Sequence, residues 1–196
     1  MDNATSCRCS VPLDLERRSR IVQALAVVAG MLLLTLASWI EVPMVPVPMT
    51  MQTFAVLLVG TLYGWRLGAL TVAAWLAFAA LGLPLLAGGA GGIARFAGPT
   101  AGYLFAFPLA AALADWLAAR GCMEGFLSAT AAMLVGHAVC LGLGTGGLAL
   151  AIGPERAVAA GLLPFLAGAV LKSVLVAAVV LLLPRAGTQH SSAGPG

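Results

Sequence analysis

Charge is what this sequence has least of. Ten basic and seven acidic side chains are spread over 196 residues, so charged residues make up 9% of the chain against 61% hydrophobic. Soluble domains carry about 25% charged residues, and the shortfall specifies an integral membrane protein with no room for a soluble enzyme domain. A net charge of +3, with most basic residues flanking apolar segments, gives no reason to expect a nucleic-acid partner. Histidines number only two and cysteines four. Cys7-Arg8-Cys9 is spaced too tightly for the usual zinc pair, and Cys122 and Cys140 stand apart, so the thiols read as free or buried. The clustered His, Cys or carboxylate donors that a metal site needs are missing, and no metal or cofactor is expected. Gly-x-Ser-x-Gly elbows are also missing, and Ser128 and His137 lie too far apart on one helix to bond. An intramembrane enzyme is therefore disfavoured.

What the chain has in quantity is apolar run and punctuation. Arg17, Arg18 and Arg20 look like the start of a signal peptide, but the run from Ile21 to Ile40 is longer than an ordinary signal core. About 20 residues at 1.5 Å each cross a ~30 Å hydrocarbon layer, so this run reads as the first membrane helix, with residues 1–20 as a cytosolic tail. Cleavage after Ala37 is the alternative. Ala26 and Gly30 form a small-xxx-small pair that allows close helix approach, either within the bundle or against another membrane subunit. Pro43, Pro46 and Pro48 bar a helix from Glu41 to Thr50, after which Thr50 is placed to cap a helix over Met51–Tyr63. That helix, at about 20 Å, falls short of a full span. Either the proline segment dips into the membrane or the helix is buried in the bundle, and irregular backbone at depth implies a cavity.

Further helices are expected over about Leu67–Leu81, Thr100–Ala119, Gly125–Leu143 and Gly161–Leu183, six in all. Gly144-Thr-Gly-Gly147 reads as the end of the fifth, and Leu148–Ala160 is ambiguous. The six-helix membrane domain covers 21–184, and the small, polar tail 185–196 is expected to be disordered. Six helices put both termini on one side. Arg8, Arg17, Arg18, Arg20, Arg66, Arg120 and Arg185 fall there, against Arg95 and Arg156 opposite. The positive-inside rule makes the terminal side cytoplasmic, so the segments 41–50, 83–99 and 144–160 all face outward.

Few residues are equipped for chemistry. Lys172 is the sole lysine, mid-way along the last helix, and a membrane-buried cation is by default a functional-site hypothesis. Gly161 and Gly168 lie close to its helical face. No carboxylate on that helix can pair with it, which leaves an anionic or strongly hydrogen-bonding ligand, or else a structural ion pair or snorkelling. Lys172-Ser173 resembles the end of a phosphate loop, but Leu171 replaces the required glycine and no strand precedes it, so no ATP site is expected. Arg95 suits a carboxylate or a lipid headgroup. Tyr103 offers a ring and a hydroxyl, or an interfacial anchor. His137 is a ligand contact or a hydrogen-bonded packing residue. Gln52 and Thr53 open the second helix, where backbone amides are unpaired. Gly88, Gly89, Gly91 and Gly92 let backbone approach a ligand or adopt positive φ.

Taken together, Pro46-Val-Pro-Met-Thr-Met-Gln-Thr-Phe54, Leu83-Pro84, Gly88-Gly-Ala-Gly-Gly92 and Gly98-Pro-Thr-Ala-Gly-Tyr103 resemble the BioY family over roughly residues 20–184. These proteins are the substrate-binding S components of energy-coupling-factor (ECF) biotin transporters. The resemblance implies an all-α fold of six membrane helices, an outward-facing biotin pocket and no enzyme activity. It also implies a transmembrane coupling protein and ABC-type ATPase subunits as partners. The pocket residues expected on this basis are Thr50, Gln52, Gly88, Gly89, Arg95, Tyr103, His137 and Lys172, with Ala26 and Gly30 as the docking face. Two positions depart from the pattern. Ala169 stands where many members carry Asp, and His137 stands where a short polar amide is frequent. A self-sufficient secondary transporter for biotin or another small organic anion is the competing reading.

Overall fold

Proline and glycine set the helix ends in the computed structural model, which describes Leu13, Leu15 and residues 18–183. The expectations for most of the N-terminal tail, for Cys7 and Cys9, and for the tail 185–196 lie outside these residues. Helix α1 spans Arg20–Trp39. Two short strands follow, β1 Glu41–Val42 and β2 Met49–Thr50, paired antiparallel with Glu41 opposite Thr50 and Val42 opposite Met49. The prolines between them keep this segment out of a helix. Then come α2 Gln52–Tyr63, α3 Trp65–Ala80, 3₁₀ turns at Ala87–Gly89 and Ile93–Phe96, α4 Ala101–Ala119, α5 Phe126–Ile152, the eight-residue α6 Pro154–Gly161, and α7 Leu163–Leu182. The six expected membrane helices are α1 to α5 and α7. Four stretches, Arg20–Trp39, Ala101–Ala119, Phe126–Ile152 and Pro154–Leu182, are each long and apolar enough to cross a membrane.

The short second helix resolves as buried. Every residue of α2 from Ala55 to Tyr63 is buried, which lets a helix of about 18 Å exist without reaching both membrane faces. The proline segment packs beside the start of α2, where Pro46, Val47 and Pro48 line the same cavity as Gln52 and Thr53. Thr50 does not cap as expected. The helix begins at Gln52 with Met51 at its N-cap, and the Thr50 hydroxyl accepts a 3.3 Å bond from the Gln52 amide while donating to its side-chain oxygen.

The Gly144–Gly147 run is a larger correction. It is not a helix end but the interior of α5, which continues to Ile152. Without a hydrophobic drive between helices in lipid, close backbone packing holds them together, and glycine permits it. A Cβ on Gly147 would lie 2.9 Å from the Gly102 Cα on α4, and one on Gly102 would lie 2.7 Å from the Leu143 carbonyl. A Cβ on Gly144 would overlap the Tyr103 ring. Gly161 likewise belongs to α6, not to the last helix, because the chain breaks at Leu162 before α7 begins. It therefore does not continue the Lys172 face, although a Cβ on Gly168 would sit 3.7 Å from Lys172 Cε and 3.2 Å from Met49 Sδ.

Gly30 packs within the bundle, one of the two roles expected for it. It is buried, and a Cβ there would meet Thr71 Cγ2 at 2.7 Å and Tyr63 Cε2 at 3.0 Å. The small residue serves contact among α1, α2 and α3, and Ala26 is half-buried against the same interior. Four buried hydroxyls are satisfied inside the helices that carry them. Thr35, Ser38, Thr61 and Thr71 each donate to the carbonyl four residues back at 2.6–2.8 Å. Trp75 Nε1 then donates to Thr35 Oγ1 at 3.2 Å, linking α3 to α1.

Candidate functional site

Two irregular segments and four helices meet around a cavity of about 370 Å³, within the range of small-molecule sites. Its lining comes from the proline segment, the glycine-rich loop, the start of α2, and the facing sides of α4, α5 and α7. It opens at the end of the bundle opposite Arg66 and Arg120, which lie at the α2–α3 junction and just past α4. There Arg66 stacks on Trp65 and Arg120 on Trp116, with 5.0 Å and 3.6 Å from Cζ to ring centroid.

Lys172 reaches the cavity from α7 and is only 6% exposed. Its Nζ donates to the Thr50 carbonyl at 2.8 Å and to Thr53 Oγ1 at 3.0 Å. An ammonium has three donors, so one remains for a ligand. The two bonds also tie β2 and the start of α2 to α7. Thr50 therefore serves the site through its carbonyl and its bond to Gln52. Gln52 is buried and lines the cavity, with its amide nitrogen 3.0 Å from Ser38 Oγ and its oxygen 3.1 Å from the Thr50 hydroxyl. Its carbonyl is engaged, and one amide hydrogen is still available.

Arg95 sits at the mouth. It lies on the Ile93–Phe96 turn, is exposed, and borders the cavity. Its guanidinium has no ion-pair partner among the described residues. The loop that carries it is anchored on three sides. The Gly92 amide donates to the Ala79 carbonyl at 2.7 Å, Trp39 Nε1 donates to the Pro84 carbonyl at 3.3 Å, and Phe96 meets Phe105 edge-on with centroids 6.0 Å apart. Gly88 and Gly89 do not line the cavity. Both hold left-handed backbone, φ +64° and +66°, closing the turn in which the Leu86 amide bonds the Ala90 carbonyl at 2.9 Å. That turn brings Leu86, Ala87 and Ala90 to the wall instead. The two glycines shape the site without touching its contents.

Tyr103 lines the cavity with its ring while its hydroxyl is spent elsewhere. The hydroxyl donates to the Gly161 carbonyl at 2.7 Å and lies 3.4 Å from Thr145 Oγ1. The ring stacks on Phe165 with centroids 6.2 Å apart. His137, 2% exposed, lies on α5 with Nδ1 3.0 Å from the Met133 carbonyl and 2.9 Å from Ser173 Oγ. Phe107, Leu141 and Phe165 complete the apolar wall and were not singled out from sequence. A helical signal was available, since Phe165, Ala169 and Lys172 follow i, i+4, i+7, and Tyr103 and Phe107 are four apart. The cavity thus pairs a buried cation and an exposed one with aromatic walls, and among the described residues no Asp or Glu lines it.

These features define a multi-pass membrane protein with a ligand pocket opening to one side, and comparison with known proteins gives the class. The BioY family model matches residues 11–189. A probable biotin transporter BioY of Pyrococcus horikoshii is 37% identical over 141 residues, covering 72% of this chain and 83% of that protein. The biotin transporter BioY of Thermotoga maritima is 34% identical over 154 residues, covering 78% and 90% respectively. The crystal structure at 2.1 Å of the S-component for biotin from an ECF-type ABC transporter superposes with a TM-score of 0.71 at 24% identity. It covers 84% of this chain and 93% of its own, so the two share a fold. The chain belongs to the BioY family.

Proposed function

We propose that this protein captures biotin on the outer side of the membrane as the substrate-specific component of an ECF-type transporter. Separate subunits, a transmembrane coupling protein and ABC-type ATPases, supply the energy. The observation that carries this reading is the placement of the two cations. Lys172 lies deep with two of its three donors committed, Arg95 lies exposed at the mouth, and aromatic and aliphatic walls separate them. Biotin has a carboxylate at the end of an apolar chain and a neutral bicyclic head bearing a urea. A carboxylate held at the mouth by Arg95 keeps much of its hydration, which avoids the cost of burying a charge. The neutral urea can occupy the depth, where its carbonyl takes the remaining Lys172 donor.

Orientation agrees with capture from outside. Arg18, Arg20, Arg66 and Arg120 gather at one end of the bundle, which the positive-inside rule assigns to the cytoplasm, and the cavity opens at the other. With Gly30 turned inward, the coupling protein would meet a surface other than the Ala26–Gly30 pair. Uptake in a biotin-requiring host tests the proposal. Biotin-dependent growth is expected when the coupling protein and ATPases are present and should be lost when the ATPases are inactive. Undiminished uptake without them would instead identify a self-sufficient transporter.

A further inference from the structure

His137 is a cavity-lining residue that carries a buried polar atom without a partner. The ring is 2% exposed and lines the cavity, and its Nε2 makes no hydrogen bond. Buried polar atoms are nearly always paired, so a bare one calls for a physical reason. The other nitrogen is doubly held, 3.0 Å from the Met133 carbonyl and 2.9 Å from Ser173 Oγ. A carbonyl oxygen only accepts, and a lone pair on Nδ1 facing it at that distance would be repelled. The proton therefore sits on Nδ1, shared between the Met133 carbonyl and Ser173 Oγ, and the neutral ring presents a lone pair at Nε2.

That polarity is opposite to the two cations of the site. Lys172 and Arg95 can only donate. The Tyr103 hydroxyl is turned to Gly161, the Gln52 oxygen accepts from Thr50, and Ala169 at the cavity wall carries no acceptor. A cyclic urea presents one carbonyl and two N–H groups, and the two cations can serve only the carbonyl. We infer that His137, held as the Nδ1–H tautomer by Met133 and Ser173, is the hydrogen-bond acceptor that reads an N–H of the ligand. Ser173 acts through His137 as a positioning residue. This inference rests on the biotin reading and assigns the side chain that distinguishes a urea from an isosteric head without N–H groups.

The test uses the purified full-length chain and two probes, biotin and an analogue whose urea N–H groups are replaced by ring oxygens. The wild-type protein is expected to bind the analogue roughly 5- to 150-fold more weakly, the range for leaving one buried acceptor unpaired. His137→Phe should bind biotin more weakly and largely lose this discrimination. His137→Gln, which carries an oxygen where Nε2 stood, should retain much of it. Discrimination of wild-type size in His137→Phe would overturn the inference while leaving biotin binding established. If biotin itself fails to bind the wild type, the underlying reading falls, and the inference with it. Nitrogen-15 spectra of the histidine-labelled apo-protein provide a readout independent of variant folding. An unprotonated Nε2 in His137 is expected, and an unprotonated Nδ1 would refute the assignment. Ser173→Ala should raise the share of the Nε2–H tautomer and weaken discrimination, with recovery in Ser173→Thr. No change in either readout would remove Ser173 from the role.

Discussion

Replacing Lys172 with Met keeps an unbranched, flexible stem and removes the ammonium, so it separates ligand binding from packing. In the wild type, Nζ spends two donors on the Thr50 carbonyl and Thr53 Oγ1, at 2.8 Å and 3.0 Å, and the proposed ligand would take the third. A hydrogen bond from a charged donor contributes about 1.5–3 kcal/mol, so the dissociation constant for biotin should rise roughly 10- to 150-fold. Folding should suffer less. Removing a buried charge recovers its desolvation cost, and the Thr50 and Thr53 oxygens border a cavity that water can enter. Lys172→Arg should not restore affinity, because a planar guanidinium cannot reproduce the point-charge geometry with which the ammonium meets the Thr50 carbonyl and Thr53 Oγ1. The assay is equilibrium titration of the purified variant, with thermal unfolding measured with and without biotin. A dissociation constant within twofold of the wild type would refute the reasoning. So would a loss of binding that merely follows a loss of folded protein.

Three further outcomes follow from the same geometry. Arg95→Gln should weaken biotin by about 2- to 5-fold, the modest value of an exposed ion pair, and should leave biotinamide unaffected; equal losses for both ligands would contradict carboxylate contact. Tyr103→Phe should lower stability by about 0.5–1.5 kcal/mol because the Gly161 bond is lost, yet leave affinity within about twofold because the hydroxyl faces away from the cavity; unfolding and binding measured together check it. Gly30→Leu should destabilise the isolated bundle by colliding with Thr71 and Tyr63, by about 1–3 kcal/mol. Its melting temperature in detergent should fall even with no partner subunit present, and an unchanged value would return Gly30 to the surface.

The helices were legible because apolar runs end at residues with unambiguous backbone rules, such as the prolines of 41–50 and the Gly64 turn between α2 and α3. Scarcity of charge made Lys172 and Arg95 stand out, and both line the cavity. Glycine was the ambiguous letter. In Gly88 and Gly89 it marks left-handed turns that shape the loop without touching the cavity, whereas in Gly144 and Gly147 it marks helix interior pressed against α4. Periodicity alone cannot separate a glycine that breaks a helix from one that lets two helices meet. Side-chain direction was equally hidden. Gly30 faces inward, the Tyr103 hydroxyl turns to Gly161, and Ser173 meets His137 from another helix, all decided by tertiary packing. Phe107 and Phe165 went unremarked because apolar wall residues look like every other residue of a membrane span.

The central claim is that this chain alone holds biotin between Lys172 and the mouth of its cavity. Equilibrium binding of radiolabelled biotin to the purified protein, without coupling or ATPase subunits, tests it most directly. Saturable, one-site binding at or below micromolar concentration, weakened in Lys172→Met, is the predicted result. No saturable binding at micromolar biotin by a folded wild-type protein would contradict it.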